Sequence, residues 1–302
     1  MGIMKIKKKH LKIAAIIIFL IFASFLSVKY VNKNPYSFKD SHFYYSEFRG
    51  FPEYKSSLIS HNGSFDIYAV NFESKPFLNY KTRIYSLLVL PKNADNIPGL
   101  ILLPGGGVSK ENELGAAAKI ADLGYAVLTF DQRGIGETGG YYLSFEEDYN
   151  IFLQGKEPVQ HLSVFDALKA FDVLRSIKGI DKSNIAIAGE SMGGRYAMIA
   201  AALDDRIKGF IGISASGFHV GKDQPPYFQS IDPDSYIGVI SPRKVFMFHG
   251  TNDSVIQLKD AEFTFSLARE PKKFYTAEGC GHGYCDKMYD SLKSSLKDIF
   301  GK

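Results

Sequence analysis

From about residue 58 the chain alternates two patterns. Short unbroken apolar runs, which suit strands buried on both faces, are followed by stretches whose apolar residues recur every three or four positions, as in a helix. Lys81–Leu90 (KTRIYSLLVL) predicts a strand closed by Pro91, and Gly99–Leu103 (GLILL) predicts a second, stopped by Pro104 and three glycines. Glu111–Leu123 is alanine-rich and predicts a helix ended by Gly124. Tyr125–Phe130, Ile185–Ala188, Phe210–Ile213, Val245–Phe248 and Lys273–Tyr275 predict further strands. Val164, Leu168, Phe171 and Leu174 place a helix over 160–178, Arg195–Leu203 predicts another, and Tyr289, Leu292, Leu296 and Ile299 mark a last one. Strands each followed by a helix predict an α/β fold, a mostly parallel central sheet with helices on both faces. No linker interrupts 58–302, which reads as one domain. Two stretches break the alternation and read as lid-like insertions: 141–158, aromatic and acidic, and 217–243, with Pro225, Pro226 and Pro233.

Ahead of that domain, Ile13–Val28 is apolar on every face and follows Lys5, Lys7, Lys8, Lys9 and Lys12. As a helix it would span about 24 Å, short of a hydrocarbon core of about 30 Å, and Leu11 with a snorkelling Lys12 would extend it. The pattern predicts an N-terminal hydrophobic helix, either an uncleaved signal-anchor or a cleaved signal peptide with Ala23, Ser24 and Ser27 near the cut. The anchor is favoured, because the run is long for a signal and no clean A-x-A site follows. The lysines would keep the head, 1–12, in the cytoplasm and send the domain that follows outward, or into the medium if the segment is cut. Residues 29–57 read as a polar and aromatic tether.

Charge and composition narrow the picture. The net charge of +4 belongs to the head; without residues 1–28 the balance is 31 basic against 32 acidic residues, or −1. A nucleic-acid binder would carry its excess on the folded domain, so no nucleic-acid partner is expected. With 45% hydrophobic and 23% charged residues, disordered and disulfide-dense classes are excluded. The two cysteines, Cys280 and Cys285 in CGHGYC, are either free thiols or a short-loop disulfide, the latter permitted outside the cytoplasm. C-x4-C with one His supplies too few ligands for zinc, so no metal is expected.

The chemistry centres on Gly189-Glu190-Ser191-Met192-Gly193-Gly194, set between the strand IAIA and the helix from Arg195. A sharp strand-to-helix turn lifts the Ser191 hydroxyl clear of the sheet, and its glycines avoid clashes with neighbouring backbone. A serine hydroxyl needs a base, and the base needs an acid to orient it. Asp253 lies just past the strand VFMFH, and His282 sits between glycines after the next strand, giving the order Ser, Asp, His. The other histidines compete poorly: His10 is in the head, His42 and His61 precede the core, His161 opens a helix, His219 lies in the proline loop and His249 reads as structural. Asp260 falls within a helix and Asn252 lacks the charge. The oxyanion donors are expected from the Met192 backbone N–H and from Gly106, with Gly105 and Gly107 beside it. GIGETGG contains G-x-G-x-x-G, but it runs into an irregular stretch rather than a helix, which argues against a dinucleotide site. Asp131 and Arg133 there suit a local polar network. No cofactor is expected.

In order, LLPGGG, GYAVLTFDQRGIGETGG, IAIAGESMGG, HGTND and GCGHG resemble the α/β-hydrolase superfamily over roughly 58–300. DQRGIGETGG and DALKAFDVLRS look like its dienelactone-hydrolase-like, acetyl xylan esterase-like and prolyl oligopeptidase-like branches. That resemblance implies Ser191 as nucleophile, Asp253 as acid and His282 as base. It differs in having Pro104-Gly105 where many relatives have His-Gly. The expected function is ester hydrolysis through an acyl-enzyme, on a small ester. A peptidase or amidase acting on a short peptide is the alternative, and an inactive binding module is the remote one. The chain before residue 58 is too short for the β-propeller of full-length prolyl oligopeptidases.

Overall fold

The computed structural model describes residues 36–301. The predicted head, the hydrophobic helix over 13–28 and the first part of the tether lie outside the described residues. Among those described, no helix is long and apolar enough to cross a membrane.

Among the described residues, twelve strands and seven α-helices follow one another. Two short strands, β1 (Tyr36–Lys39) and β2 (His42–Tyr45), stand apart from the main sheet. That sheet takes β3 (Tyr54–His61), β4 (Phe65–Phe77), β5 (Tyr80–Ile84), β6 (Ser86–Pro91), β7 (Ile97–Leu103), β8 (Ala126–Phe130), β9 (Ile180–Glu190), β10 (Gly209–Ile213), β11 (Lys244–Gly250) and β12 (Lys272–Ala277). The helices are α1 (Leu114–Ala121), α2 (Phe145–Leu153), α3 (Val159–Ser176), α4 (Ser191–Leu203), α5 (Pro226–Ser230), α6 (Leu258–Leu267) and α7 (Tyr289–Phe300).

The ten strands are ordered β12-β11-β10-β9-β7-β8-β6-β4-β3, with β5 also on β4. From β12 to β8 neighbours are parallel. From β8 through β6 and β4 to β3 and β5 they are antiparallel. The sheet is therefore mixed, which corrects the expectation of a mostly parallel one. Strands β3 to β6 follow one another through short turns, which antiparallel geometry allows, whereas β6 and β8, with β7 and α1 between them, and the parallel neighbours are joined by longer connections. The single strand predicted over 81–90 is two strands, β5 and β6.

Strand parity divides the core. Leu100 and Leu102 of β7 join Ala117, Ile120 and Ala121 of α1 and Leu292, Leu296 and Ile299 of α7 in one buried cluster. On the other face, α3 and α4 pack against the sheet. Helix α3 is buried along most of its length, because the chain from Phe38 to Phe51 packs against it. The Phe43 ring stacks on His161 at 4.0 Å, and the Tyr45 hydroxyl donates to the His161 carbonyl at 2.8 Å. Arg49 clamps Asp172 at 2.8 and 2.9 Å and Asp204 at 2.7 Å, and Lys169 donates to the Arg49 carbonyl at 2.9 Å. The part of the predicted tether from residue 38 onward is thus packed chain. Buried guanidinium and carboxylate groups need one another, since stripping one partner from such a pair costs about 3–5 kcal/mol.

The two insertions are partly helical. Ser144 and Glu147 form a capping box at the start of α2, and 217–243 holds α5 and two single-turn 3-10 helices. They pack on each other through Phe145 and Phe218, with ring centres 5.2 Å apart, and through Tyr149 against Tyr227 and Phe228. Asp148 is fully buried and accepts from Val159 N at 2.6 Å, Gln160 N at 3.0 Å and the Tyr227 hydroxyl at 2.9 Å.

Candidate active site

Strand β9 passes into α4 with no intervening loop, and Ser191 is the joint. Its φ is +52°, in the left-handed region that non-glycine residues rarely occupy and that clusters at functional sites. Such a turn needs close backbone approach on its inner side. A methyl group on Gly193 would run into the carbonyls of Leu103 and Pro104, so only glycine lets α4 seat against the end of β7.

That contact brings the loop after β7 beside the turn. A Cβ on Gly105 would lie 3.6 Å from Ser191 Cβ, and one on Gly106 would lie 3.6 Å from Met192 Sδ. The loop is held by Gln132, whose Nε2 donates to the Pro104 carbonyl at 2.6 Å, and by a turn from Val108 N to Gly105 O at 3.2 Å. Tyr142, from the first insertion, reaches the same place, its hydroxyl 3.6 Å from Met192 Sδ. Gly106 and Met192, both expected as oxyanion donors, therefore lie side by side. A Cβ on Gly107, at φ +75°, would meet nothing within 4 Å.

Asp253 and His282 meet directly. His282 Nδ1 lies 2.8 Å from Asp253 Oδ2 and 3.0 Å from Oδ1. A carboxylate only accepts, so Nδ1 carries the proton and Nε2 is left as the basic nitrogen. Asp253 is nearly sealed from solvent. Burial disfavours its charge, but the amides of Ile256 and Val255, both at 2.9 Å, and the His282 ring outweigh that and hold the carboxyl below its ordinary value. A second imidazole, His249, is fully buried; its Nε2 is 2.8 Å from the Ile256 carbonyl, to which it donates, and 3.3 Å from Asp253. His249 is thus held inside the protein against Ile256 and Asp253.

The loop bearing His282 is tied to the turn bearing Ser191. Tyr284 N donates to Glu190 Oε2 at 2.9 Å, and Gly283 N donates to Ser214 Oγ at 2.9 Å. Gly283, at φ +89°, has no room for a side chain, because a Cβ would lie 2.7 Å from Glu190 Oε1. Cys280 and Cys285 form a disulfide across the same loop, which resolves the open reading of the two thiols. Glu190 and Ser214 were not singled out by sequence reasoning. A carboxylate inside an otherwise small or apolar turn, GESMGG, was the available signal. Buried beside it, Glu113 is pushed up to about 7, by its own desolvation first and by the Glu190 charge second.

Asp131 and Arg133 each sit in a polar network, but not in the same one. Asp131 accepts from Lys110 N and Nζ, both at 2.8 Å. Arg133 pairs with Asp166 at 2.6 and 2.8 Å and donates to the Lys75 carbonyl at 2.9 Å. Of the other histidines, His161 Nε2 is 2.7 Å from Ser230 Oγ, and His219 Nδ1 is 2.6 Å from Asp234 Oδ2.

With this geometry in hand, comparison with known proteins is informative. The family model described as acetyl xylan esterase matches residues 52–215, more than half of the chain. The chain belongs to the acetyl xylan esterase family. The matched region runs from just before β3 through β10, so it includes the Ser191 turn and the Gly105–Gly107 loop but stops short of Asp253 and His282. YtaP of Bacillus subtilis (strain 168) is 28% identical over 181 residues, which cover 55% of this chain and 58% of that relative. The hydrolyase PoxO of Penicillium oxalicum (strain 114-2 / CGMCC 5302) is 35% identical over 141 residues, or 46% of this chain and 31% of PoxO. The matches thus span about a third to three fifths of these relatives' length. The crystal structure of acetyl xylan esterase 1 from Thermoanaerobacterium sp. JW/SL YS485 superposes with a TM-score of 0.66 at 15% identity, over 83% of this chain and 89% of that one. The fold is that of the α/β hydrolases.

Proposed function

We propose that this chain is a serine esterase that cleaves carboxylic esters, with Ser191 as nucleophile, His282 as general base and Asp253 as its orienting acid. Ser191 Oγ attacks the carbonyl carbon while His282 Nε2 takes the hydroxyl proton. The negative charge on the carbonyl oxygen is met by the backbone N–H groups of Met192 and Gly106. Collapse of the tetrahedral intermediate expels the alcohol, which leaves with the proton from His282. Water then attacks the acyl-enzyme by the same relay and releases the acid. The observation that carries this reading is the bond between His282 Nδ1 and Asp253, on a loop fastened to the residue preceding Ser191. Acetyl xylan esterases among the similar folds support a small acyl group such as acetyl. Ser191→Ala should abolish both ester turnover and labelling by a fluorophosphonate probe while the protein still folds; labelling that survives in the variant would refute the assignment.

The same proposal places the esterase outside the cytoplasm, held at the membrane by residues 13–28 or released if they are cut. The lysine cluster before that apolar run supports it, as does the disulfide beside His282, since disulfides persist in oxidising compartments.

A further inference from the structure

The other arginines that this fold buries spend a terminal guanidinium nitrogen on acceptors within the fold. Arg133 is paired with Asp166, Arg49 with Asp172 and Asp204, and Arg243 Nη1 donates to the carbonyls of Ala201, Asp204 and Ile207. Arg195 is different. It lies four residues after Ser191 in α4, one helical turn on and about 6 Å along the axis. Its Nε donates to the Ser216 carbonyl at 3.1 Å. Its guanidinium lies over the Phe218 ring, 4.2 Å from the centroid, and Phe218 is in turn braced edge-on by Phe145 of the first insertion. Among the described residues no carboxylate comes within 4 Å of it, and its two terminal nitrogens are neither bonded nor sealed from solvent.

The nearby acids are engaged elsewhere. Asp232 accepts from Phe218 N at 2.9 Å, Val220 N at 2.7 Å and Asp234 N at 3.1 Å. Asp234 Oδ2 is taken by His219, while its Oδ1 is buried without a hydrogen-bond partner and more than 4 Å from Arg195. Burial weakens the charged form of Arg195, yet a guanidinium keeps its proton. A partly buried cation with two free donors in a planar fork suits a carboxylate, bound side-on.

We propose that Arg195 is an anion subsite beside the nucleophile and that the preferred substrates are esters bearing a carboxylate. The proposal rests on the esterase reading above. The Phe218 stack and the Ser216 carbonyl fix the fork, and the substrate carboxylate supplies the directly bonded partner that Asp232 and Asp234, which attract Arg195 only from a distance, do not.

The test measures kcat/KM for the full chain on two matched pairs. Mono-p-nitrophenyl adipate against p-nitrophenyl hexanoate puts the carboxylate on the acyl side, and 3-acetoxybenzoate against phenyl acetate puts it on the alcohol side. The wild-type chain should favour the anionic member in at least one pair by about tenfold or more. Arg195→Met should bring that ratio to about one, with the neutral member changed by less than about threefold, and Arg195→Lys should restore part of it. Turnover of the neutral ester also reports that each variant folds. No anionic preference in either pair, or an equal loss on both members in Arg195→Met, would overturn the subsite. A wild-type chain that hydrolyses none of the four esters, or a Ser191→Ala variant that hydrolyses them as well, would overturn the esterase reading and the subsite with it.

Discussion

At the scale of single residues, two carboxyls act on each other beside the turn around Ser191. Glu190 is committed to the amide of Tyr284, and Glu113 is buried beside it with its pKa raised from 4.5 to about 7. In the folded chain Glu113 keeps a proton that the unfolded chain loses above pH 4.5. Its contribution to stability is therefore full below about pH 4.5 and is lost as the pH rises towards 7. Glu113→Gln should leave stability near pH 4.5 little changed and raise it above pH 7 by about 2 kcal/mol. Denaturant unfolding at pH 5 and pH 8 would check this, and an equal effect at both pH values would show that the Glu113 charge is not the cause. Arg195 belongs to the same scale, since a single side chain there is expected to set the preference for charge in the substrate.

At the scale of elements, the His282 loop is fixed at several points: the Cys280–Cys285 disulfide, the amide of Gly283 on Ser214, the amide of Tyr284 on Glu190, and Asn252 N on the Cys280 carbonyl at 2.9 Å. A bond closing so short a loop removes little entropy from the unfolded chain, so its main effect should be on the position of the imidazole. Iodoacetamide without reductant should leave the mass unchanged. After reduction, two alkyl groups should add and ester turnover should fall several-fold, with only a few degrees lost in melting temperature. Unchanged turnover after confirmed reduction would mean that the other ties suffice.

How much of this could be read from the chain follows from the same elements. The strands β7 to β12 were legible because strands buried on both faces are written as plain apolar runs, and Ser191, Asp253 and His282, the residues of the proposed triad, each follow one of them in a turn that carries glycine. The antiparallel part was harder. Strand β3 (YKSSLISH) is almost wholly exposed, and an edge strand without a buried face carries no hydrophobic alternation. The chain from Phe38 to Phe51 was opaque for another reason: its packing depends on single partners, Asp172, Lys169 and His161, more than a hundred residues away. Glu190 was hidden at a variable position of its motif, because its role depends on an amide donated from a different loop.

At the scale of the whole molecule, the chemistry sits on a body of near-neutral charge, and the basic excess lies in the first twelve residues. If the apolar run behind them holds the esterase at a membrane, the full chain should sediment with membranes, resist a high-salt wash and dissolve in detergent. Recovery of the intact chain in the soluble fraction would count against attachment, while recovery of a shortened chain in the medium would show that the segment is cut.

The joint between the two insertions bears on how such a molecule diversifies. Asp148 binds the start of α3 and the Tyr227 hydroxyl at once, and the aromatic rings of both segments interlock around it. Neither insertion can then drift on its own: a new residue in one unseats the other. Descendants with altered tastes should differ from this chain in pairs of compensating changes across the seam, and tailoring by swapping a single loop should be a poor way to redesign it.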